Sequence, residues 1–381
     1  MIAESVRKLE PYVPGEQPRG EDVVKLNTNE NPYPPSPKCA EALAGFDLDR
    51  LRKYPDPVFT DLRKALARLN KTVEERIFVG NGSDEILALA AKAFVEDDGS
   101  IGSLDPSYSL YKTIAAIRNV PWTGVERGCA CGSAGRKGSR GAPAAEAGAG
   151  FAIPECSLFL WTNPNAPTGE FAEPEAIAAA AKRFKGVLLV DEAYADFARG
   201  NCMALAAARG NRNIIVMRTF SKSYSLAGLR VGYCVGPEPL IEALYKIKDS
   251  YNVDALAQTL ALAAAKDQRW MKANAAKIRR TRKAFSKALE SRGWDVIPSE
   301  SNFVFARPPC AGSPARAAET VFRNLKERNI FVRYFNGPKT CDRLRITIGT
   351  DGDMARLLAA LDDISACQAG QATNKANNKN R

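Results

Sequence analysis

Histidine is missing from all 381 residues of this chain. Its absence removes every Ser-His and Cys-His catalytic scheme and every histidine-ligated metal site. Proton transfer must then fall to lysine, tyrosine, carboxylates or a bound cofactor. Long apolar runs are missing too: no stretch approaches the roughly 20 residues needed to span a bilayer. Met1-Ile2-Ala3-Glu4-Ser5-Val6-Arg7 lacks the apolar core of a signal peptide, so a mature, cytoplasmic protein with no membrane partner is expected. The 9 cysteines form no framework spacing, and their odd number argues against a secreted disulfide scaffold.

What is present is a globular composition, 45% hydrophobic and 25% charged, with a net charge of +11. A positive balance favours anionic partners. One cation cluster runs Arg269, Lys272, Lys277, Arg279, Arg280, Arg282, Lys283 and Lys287, interleaved with Trp270, Ala273, Ile278 and Phe285. That interleaving reads as the solvated face of an amphipathic helix, and no nucleic-acid-binding motif accompanies it. No nucleic-acid partner is expected.

The length exceeds one ordinary core, so two packed units are expected. From Arg76 onward, apolar strands alternate with helical stretches: Ile77 to Val79, Ile101 to Leu104, Leu158 to Trp161, Val187 to Val190, Ile214 to Met217 and Val231 to Val235. Such alternation predicts an α/β fold with a mostly parallel sheet flanked by helices. After about residue 255 the pattern changes. Asn302 to Ala306, Ile330 to Arg333 and Leu344 to Ile348 predict a smaller α+β domain. The expected division is an N-terminal arm over 1–36, a large domain over 37–255, a small domain over 256–365 and a disordered tail over 366–381. Gly128 to Gly150 fits none of this, being a low-complexity run of Gly, Ala, Ser, Arg and Lys. It reads either as a flexible surface insertion or as a local shift of reading frame in the gene.

The chemistry concentrates at strand exits. Leu188-Leu189-Val190-Asp191-Glu192-Ala193-Tyr194 and Arg218-Thr219-Phe220-Ser221-Lys222-Ser223 both end apolar strands in polar groups, where ligands collect in α/β sheets. A lysine beside an acid and a tyrosine suits Schiff-base chemistry with an aldehyde cofactor, the acid keeping a pyridine nitrogen protonated. That cofactor is pyridoxal 5′-phosphate. Gly82-Ser83-Asp84 opens a helix after a strand; alone it reads as an ordinary capped start, but beside the lysine it reads as a phosphate cradle. Tyr108 at a strand exit offers a ring for stacking. Asn165, between Pro164 and Pro167, presents an amide to a phenolate oxygen, which Tyr194 also reaches. Thr219, Ser221 and Arg230 suit a phosphate.

The segments Asn-Pro-Asn-Ala-Pro-Thr-Gly from Asn163, Asp-Glu-Ala-Tyr from Asp191, Ser-Lys-Ser-Tyr-Ser-Leu-Ala-Gly-Leu-Arg from Ser221 and Leu-Arg-Ile-Thr-Ile-Gly-Thr from Leu344 resemble the fold-type-I pyridoxal-phosphate aminotransferases. Asn-Glu-Asn-Pro-Tyr from Asn29, Lys53-Tyr54-Pro55, Tyr251-Asn252-Val253 and Pro298-Ser299-Glu300-Ser301-Asn302-Phe303 are similar to the histidinol-phosphate branch. The resemblance covers about residues 10 to 360, excepting 128–150.

It implies that Lys222 binds the cofactor aldehyde, Asp191 pairs with the ring nitrogen, Asn165 and Tyr194 contact the phenolate oxygen, and Tyr108 stacks. Gly82, Ser83, Asp84, Thr219, Ser221 and Arg230 would lie at or near the phosphate. Tyr54 would reach the phosphate of a neighbouring subunit, implying a homodimer with shared sites. Arg333 and Arg345 would hold the substrate anion, Tyr12 would close over it, and Asn29 would belong to the substrate-binding residues. The implied reaction is transamination of L-histidinol phosphate with 2-oxoglutarate, giving imidazole acetol phosphate and glutamate, a step of histidine biosynthesis. The same motifs leave open an aromatic amino-acid aminotransferase, a threonine-phosphate decarboxylase and a cofactor-binding module without turnover.

Overall fold

The structure, a computed structural model, describes residues 2, 4–7, 9, 15–20, 22–126 and 152–379, with side chains through residue 366. The 128–150 segment and Tyr12 lie outside the described residues. The strands are β1 (Val24–Lys25), β2 (Ile77–Gly80), β3 (Ile101–Leu104), β4 (Trp122–Val125), β5 (Leu158–Thr162), β6 (Val187–Asp191) and β7 (Ile214–Thr219), then β8 (Gly232–Val235), β9 (Asp295–Ile297), β10 (Phe303–Arg307), β11 (Ile330–Phe331), β12 (Arg333–Tyr334) and β13 (Leu344–Thr347).

A 7-stranded sheet has the order β2-β8-β7-β6-β5-β3-β4. All its neighbours pair in parallel except β8, which runs antiparallel to both β2 and β7. Strand side chains alternate between faces. Accordingly Leu158, Leu160, Leu189, Ile215 and Met217 enter one apolar core with Ile86, Leu87 and Ala90 of the helix Gly82–Phe94. Phe159, Trp161, Leu188, Val190 and Val216 enter the core on the opposite face. Both faces are covered, which explains why the central strands read as unbroken apolar runs. Each such buried aliphatic side chain is worth about 1.5–3 kcal/mol.

A second sheet, 4-stranded and antiparallel, has the order β12-β13-β10-β9. The single strand expected over Ile330 to Arg333 is instead two. β11 pairs with β1 from the N-terminal arm, whereas β12 pairs with β13. The two short strands serve separate sheets, a division that no local pattern encodes. The basic segment forms the helix Gln268–Glu290, burying Met271, Ile278, Phe285 and Leu289 as its amphipathic pattern requires. Arg282 departs from the solvated face, donating from Nη1 to the Ser301 carbonyl at 2.6 Å. The last helix runs Asp351–Lys379, past the start of the tail expected to be disordered. Alanine, glutamine and lysine there are good helix formers, and no proline interrupts them.

The arm joins the two sheets. Leu26 N–H donates to Phe331 O at 2.7 Å, and its carbonyl accepts from Thr347 N–H at 3.0 Å. Asn29 N–H donates to Thr347 Oγ1 at 3.0 Å, and the Asn29 carbonyl accepts from Asn302 Nδ2 at 2.9 Å. Asn31 Nδ2 donates to the carbonyls of Lys222 and Ser223 at 3.1 and 3.2 Å.

Candidate active site

Asp191 ends β6, opposite Thr162 at the end of the neighbouring β5. Thr219 ends β7, and Lys222 follows in the turn toward β8. The carboxyl ends of three adjacent strands therefore carry the acid, a hydroxyl and the lysine to one edge of the sheet.

Asp191 is buried. Its Oδ1 accepts from Ala193 N–H at 3.0 Å and its Oδ2 from the Tyr111 hydroxyl at 2.7 Å. Burial pushes its pKa up to about 6, against the opposing pull of those two bonds. Lys222, partly buried, donates from Nζ to the Thr28 carbonyl at 3.2 Å and stands 5.9 Å from the Tyr194 ring centre. Desolvation and the Arg345 guanidinium bring its pKa down to about 8, although Glu30 and Asp84 pull the other way. A carboxylate that resists ionisation and an amine that readily sheds its proton are the perturbed pair expected of a reactive centre.

An anion cradle adjoins them. The helix Gly82–Phe94 begins after Asn81, which makes no side-chain cap bond, so first-turn N–H groups and the positive dipole end face outward. Ser221 Oγ accepts from Thr219 Oγ1 at 2.9 Å, and Arg230 Nη1 lies 3.5 Å from Ser221 Oγ. Arg230 also reaches Asp84 Oδ2 at 3.4 Å. Two glycines make this closeness possible. Gly82 has φ +80°, and a Cβ there would lie 2.7 Å from Arg230 Nη2; a Cβ on Gly232 would lie 2.7 Å from Ser83 N. Side chains at either position would fill the cradle.

Around the lysine, the Tyr194 hydroxyl accepts from Asn29 Nδ2 at 2.9 Å. Tyr108 directs its hydroxyl to Asp84 Oδ1 at 3.4 Å and packs edge-on to Tyr111, centroids 5.6 Å apart. Asn165 is buried, with Nδ2 donating to Pro106 O and Thr168 Oγ1, each at 3.0 Å. Its amide is thus engaged within the turn and reaches a ring oxygen only by giving up one of these bonds.

Arg333 and Arg345 are cross-strand partners on β12 and β13. Both guanidiniums approach the Phe335 ring, at 5.4 and 5.3 Å from its centre, and Arg345 Nη2 donates to Asn27 O at 2.9 Å. Tyr54 is not brought to the site within this chain. It is 80% exposed and stacks on Tyr251 with centroids 4.3 Å apart; Leu48, Leu51 and Val58, close to it in sequence, are exposed too. Sequence reasoning missed Tyr111, Thr162 and Asn31. Tyr111 lies in the first turn of the helix Leu110–Arg118 and Tyr108 just before it, so their spacing of three offers little local signal.

The family aminotransferase class I and II matches residues 21–361. The chain belongs to that family. Among individual relatives, a histidinol-phosphate aminotransferase of Syntrophotalea carbinolica is 43% identical over 366 residues, covering 95% of this chain and 99% of the relative. Among solved structures, histidinol-phosphate aminotransferase from Sinorhizobium meliloti in complex with pyridoxal-5′-phosphate has a TM-score of 0.80 at 25% identity, covering 95% of this chain and 97% of that one. L-threonine-O-3-phosphate decarboxylase from Porphyromonas gingivalis shares the fold, with a TM-score of 0.75 at 21% identity over 90% of this chain and 100% of that one.

The residues present fit pyridoxal phosphate. The glycine-lined cradle suits a phosphate, and the buried Asp191 carboxylate, which has no cation among its hydrogen-bond partners in the described residues, suits a protonated pyridine nitrogen.

Proposed function

We propose that the protein is a pyridoxal-phosphate-dependent aminotransferase, exchanging an amino group between L-histidinol phosphate and 2-oxoglutarate to give imidazole acetol phosphate and glutamate. The observation that carries this reading is the convergence of the Lys222 amine, the buried Asp191 carboxylate and the Gly82–Arg230 cradle at one sheet edge. When bound, the cofactor supplies an aldehyde that takes up amines and a ring that accepts electrons when the substrate Cα–H bond breaks.

The chain supplies the rest. Ser83, Thr219, Ser221 and Arg230 hold the phosphate, with Gly82 leaving the space and Asp84 orienting Arg230. Asp191 would keep the proton on the ring nitrogen; Tyr194 would serve the phenolate oxygen, as would Asn165 on releasing one of its two bonds, and Tyr108 would cover the ring. Lys222, its pKa near 8, carries an appreciable neutral fraction close to neutrality and moves a proton to or from the substrate Cα. Arg333 and Arg345 grip the substrate anion, since a guanidinium forks onto phosphate or carboxylate alike. One pocket thereby accepts both partners.

The reading includes a homodimer in the cytoplasm. Exposed Leu48, Leu51, Tyr54, Val58 and Tyr251 form an apolar surface suited to a second copy, whose site Tyr54 would enter. The division into arm, large domain over 37–255 and small domain over 256–365 belongs to the same reading.

Spectral titration of the bound cofactor with L-histidinol phosphate tests the assignment, with aromatic amino acids and threonine phosphate as comparators. Conversion by histidinol phosphate and reversal by 2-oxoglutarate are expected; conversion only by a comparator rejects the substrate. Lys222→Ala should lower turnover by at least about a thousandfold while circular dichroism stays unchanged. Turnover at the wild-type rate would reject the lysine's role.

A further inference from the structure

Asp191 begins a hydrogen-bonded chain, buried at its Asp191 end, that the roles above leave unused. Its Oδ2 accepts from the Tyr111 hydroxyl at 2.7 Å, and the Tyr111 oxygen lies 2.6 Å from Thr162 Oγ1. Thr162 Oγ1 lies 3.1 Å from Ser107 Oγ, which donates to Asn165 Oδ1 at 3.0 Å. Tyr111 is 1% exposed and Thr162 1% exposed, so water does not compete for the Asp191–Tyr111 and Tyr111–Thr162 contacts, whereas Ser107 is only partly buried. The chain thus runs from the side chain proposed for the ring nitrogen to the one proposed for the phenolate oxygen.

Both ends only accept. The Asp191 carboxylate has no proton to give. Asn165 must turn its Oδ1 toward Ser107, because its Nδ2 faces the Pro106 carbonyl, itself an acceptor. Between them are four contacts and three hydroxyl protons. While Asp191 is ionised, one contact has no proton; protonating Asp191 supplies it. The charge state of the carboxylate therefore sets the direction in which the Tyr111 and Thr162 hydroxyls point. Ser107 donates to Asn165 in either state, and that bond is strengthened when Ser107 itself receives the Thr162 proton.

We propose that Tyr111 is a positioning residue for the amino-transfer reaction: its hydroxyl holds the Asp191 carboxylate and, through Thr162 and Ser107, couples it to Asn165. The inference rests on the transaminase reading for its kinetic consequence, but not for the coupling itself. Burial and the Asp191 charge hold the Tyr111 pKa well above its ordinary range, so the phenol stays a donor. The other charges facing Asp191 are Asp84, from the helix Gly82–Phe94, and Glu192, next along its own segment; both oppose its ionisation. Among the side chains within hydrogen-bonding reach of the carboxylate, Tyr111 favours the charged form.

The full-length protein, stripped of cofactor, is titrated with pyridoxal phosphate by fluorescence from about pH 5 to about pH 8. In Tyr111→Phe the pH at which affinity falls away should move up by about half a unit or more, because the carboxylate has lost a donor that stabilises its charge. Thr162→Val should shift it in the same direction by less. In turnover, Tyr111→Phe should lower kcat about tenfold with KM changed by less than about twofold. In an Asp191→Asn background the same substitution should add less than about twofold.

An unmoved midpoint in the variants, or an equal loss of kcat in both backgrounds, overturns the proposal. If Tyr111→Phe does not fold, Thr162→Val decides by the same midpoint. Wild-type protein that binds cofactor but does not convert histidinol phosphate sinks the functional reading, while the binding midpoint still judges Tyr111.

Discussion

Burying a carboxylate costs stability, and Asp191 shows the sign of that cost. Its folded-state pKa, about 6, is raised from an ordinary 3.8, so between those values the folded chain holds a proton that the unfolded chain has released. Stability from this group falls as pH rises through that window, and the cost is fully present above about pH 6. Asp191→Asn removes it. The cofactor-free variant should be more stable to denaturant than wild type at pH 7, by about 3 kcal/mol, with the gap closing as pH falls toward about 4. The same variant should bind cofactor more weakly than wild type at pH 7 and lose most of its rate even when saturated with it. Equal denaturant midpoints at both pH values would show that the carboxylate is not held against its charge, and an unaffected rate would remove its role at the ring nitrogen. Lys222 and Asp191 were legible in the sequence because each ends a recognisable strand and stands in a distinctive segment. Tyr111 and Thr162 were not: their meaning comes from the register that sets Thr162 beside Asp191 and from the helix that lowers Tyr111 onto both.

At the scale of elements, strand exits and helix starts make the site. The alternation of apolar strands with helices announced the parallel sheet, since strands covered on both faces must be apolar throughout. The reversed direction of β8 and the split at Ile330 to Tyr334 were not announced, because strand direction and partner choice depend on distant pairing. The cradle illustrates how two elements meet only where both lack a side chain. Gly82→Ala would drive a methyl to 2.7 Å from Arg230 Nη2 and would strain a backbone at φ +80°. Cofactor affinity should fall about tenfold or more, with a stability loss of about 1 kcal/mol. Unchanged affinity in equilibrium dialysis would detach the helix start from phosphate binding.

At the scale of the whole molecule, the unpartnered apolar surface around Tyr54 and Tyr251 carries the expectation of a second subunit. Light scattering should give twice the chain mass, and Leu51→Asp should halve that mass and lower activity together. A fully active monomer would overturn the shared site. The sequence marked Tyr54 through its neighbours Lys53 and Pro55; what it reaches depends on a surface that one chain leaves open.

The arm segment 26–31 is bonded to the Lys222 side chain and backbone carbonyl, the Tyr194 hydroxyl, Arg345 and Thr347. It works like a drawstring threaded past the Lys222 amine and the Arg345 guanidinium. Slack anywhere along it would loosen both side chains at the same moment, so on the proposed reading chemistry and recognition would not drift apart independently.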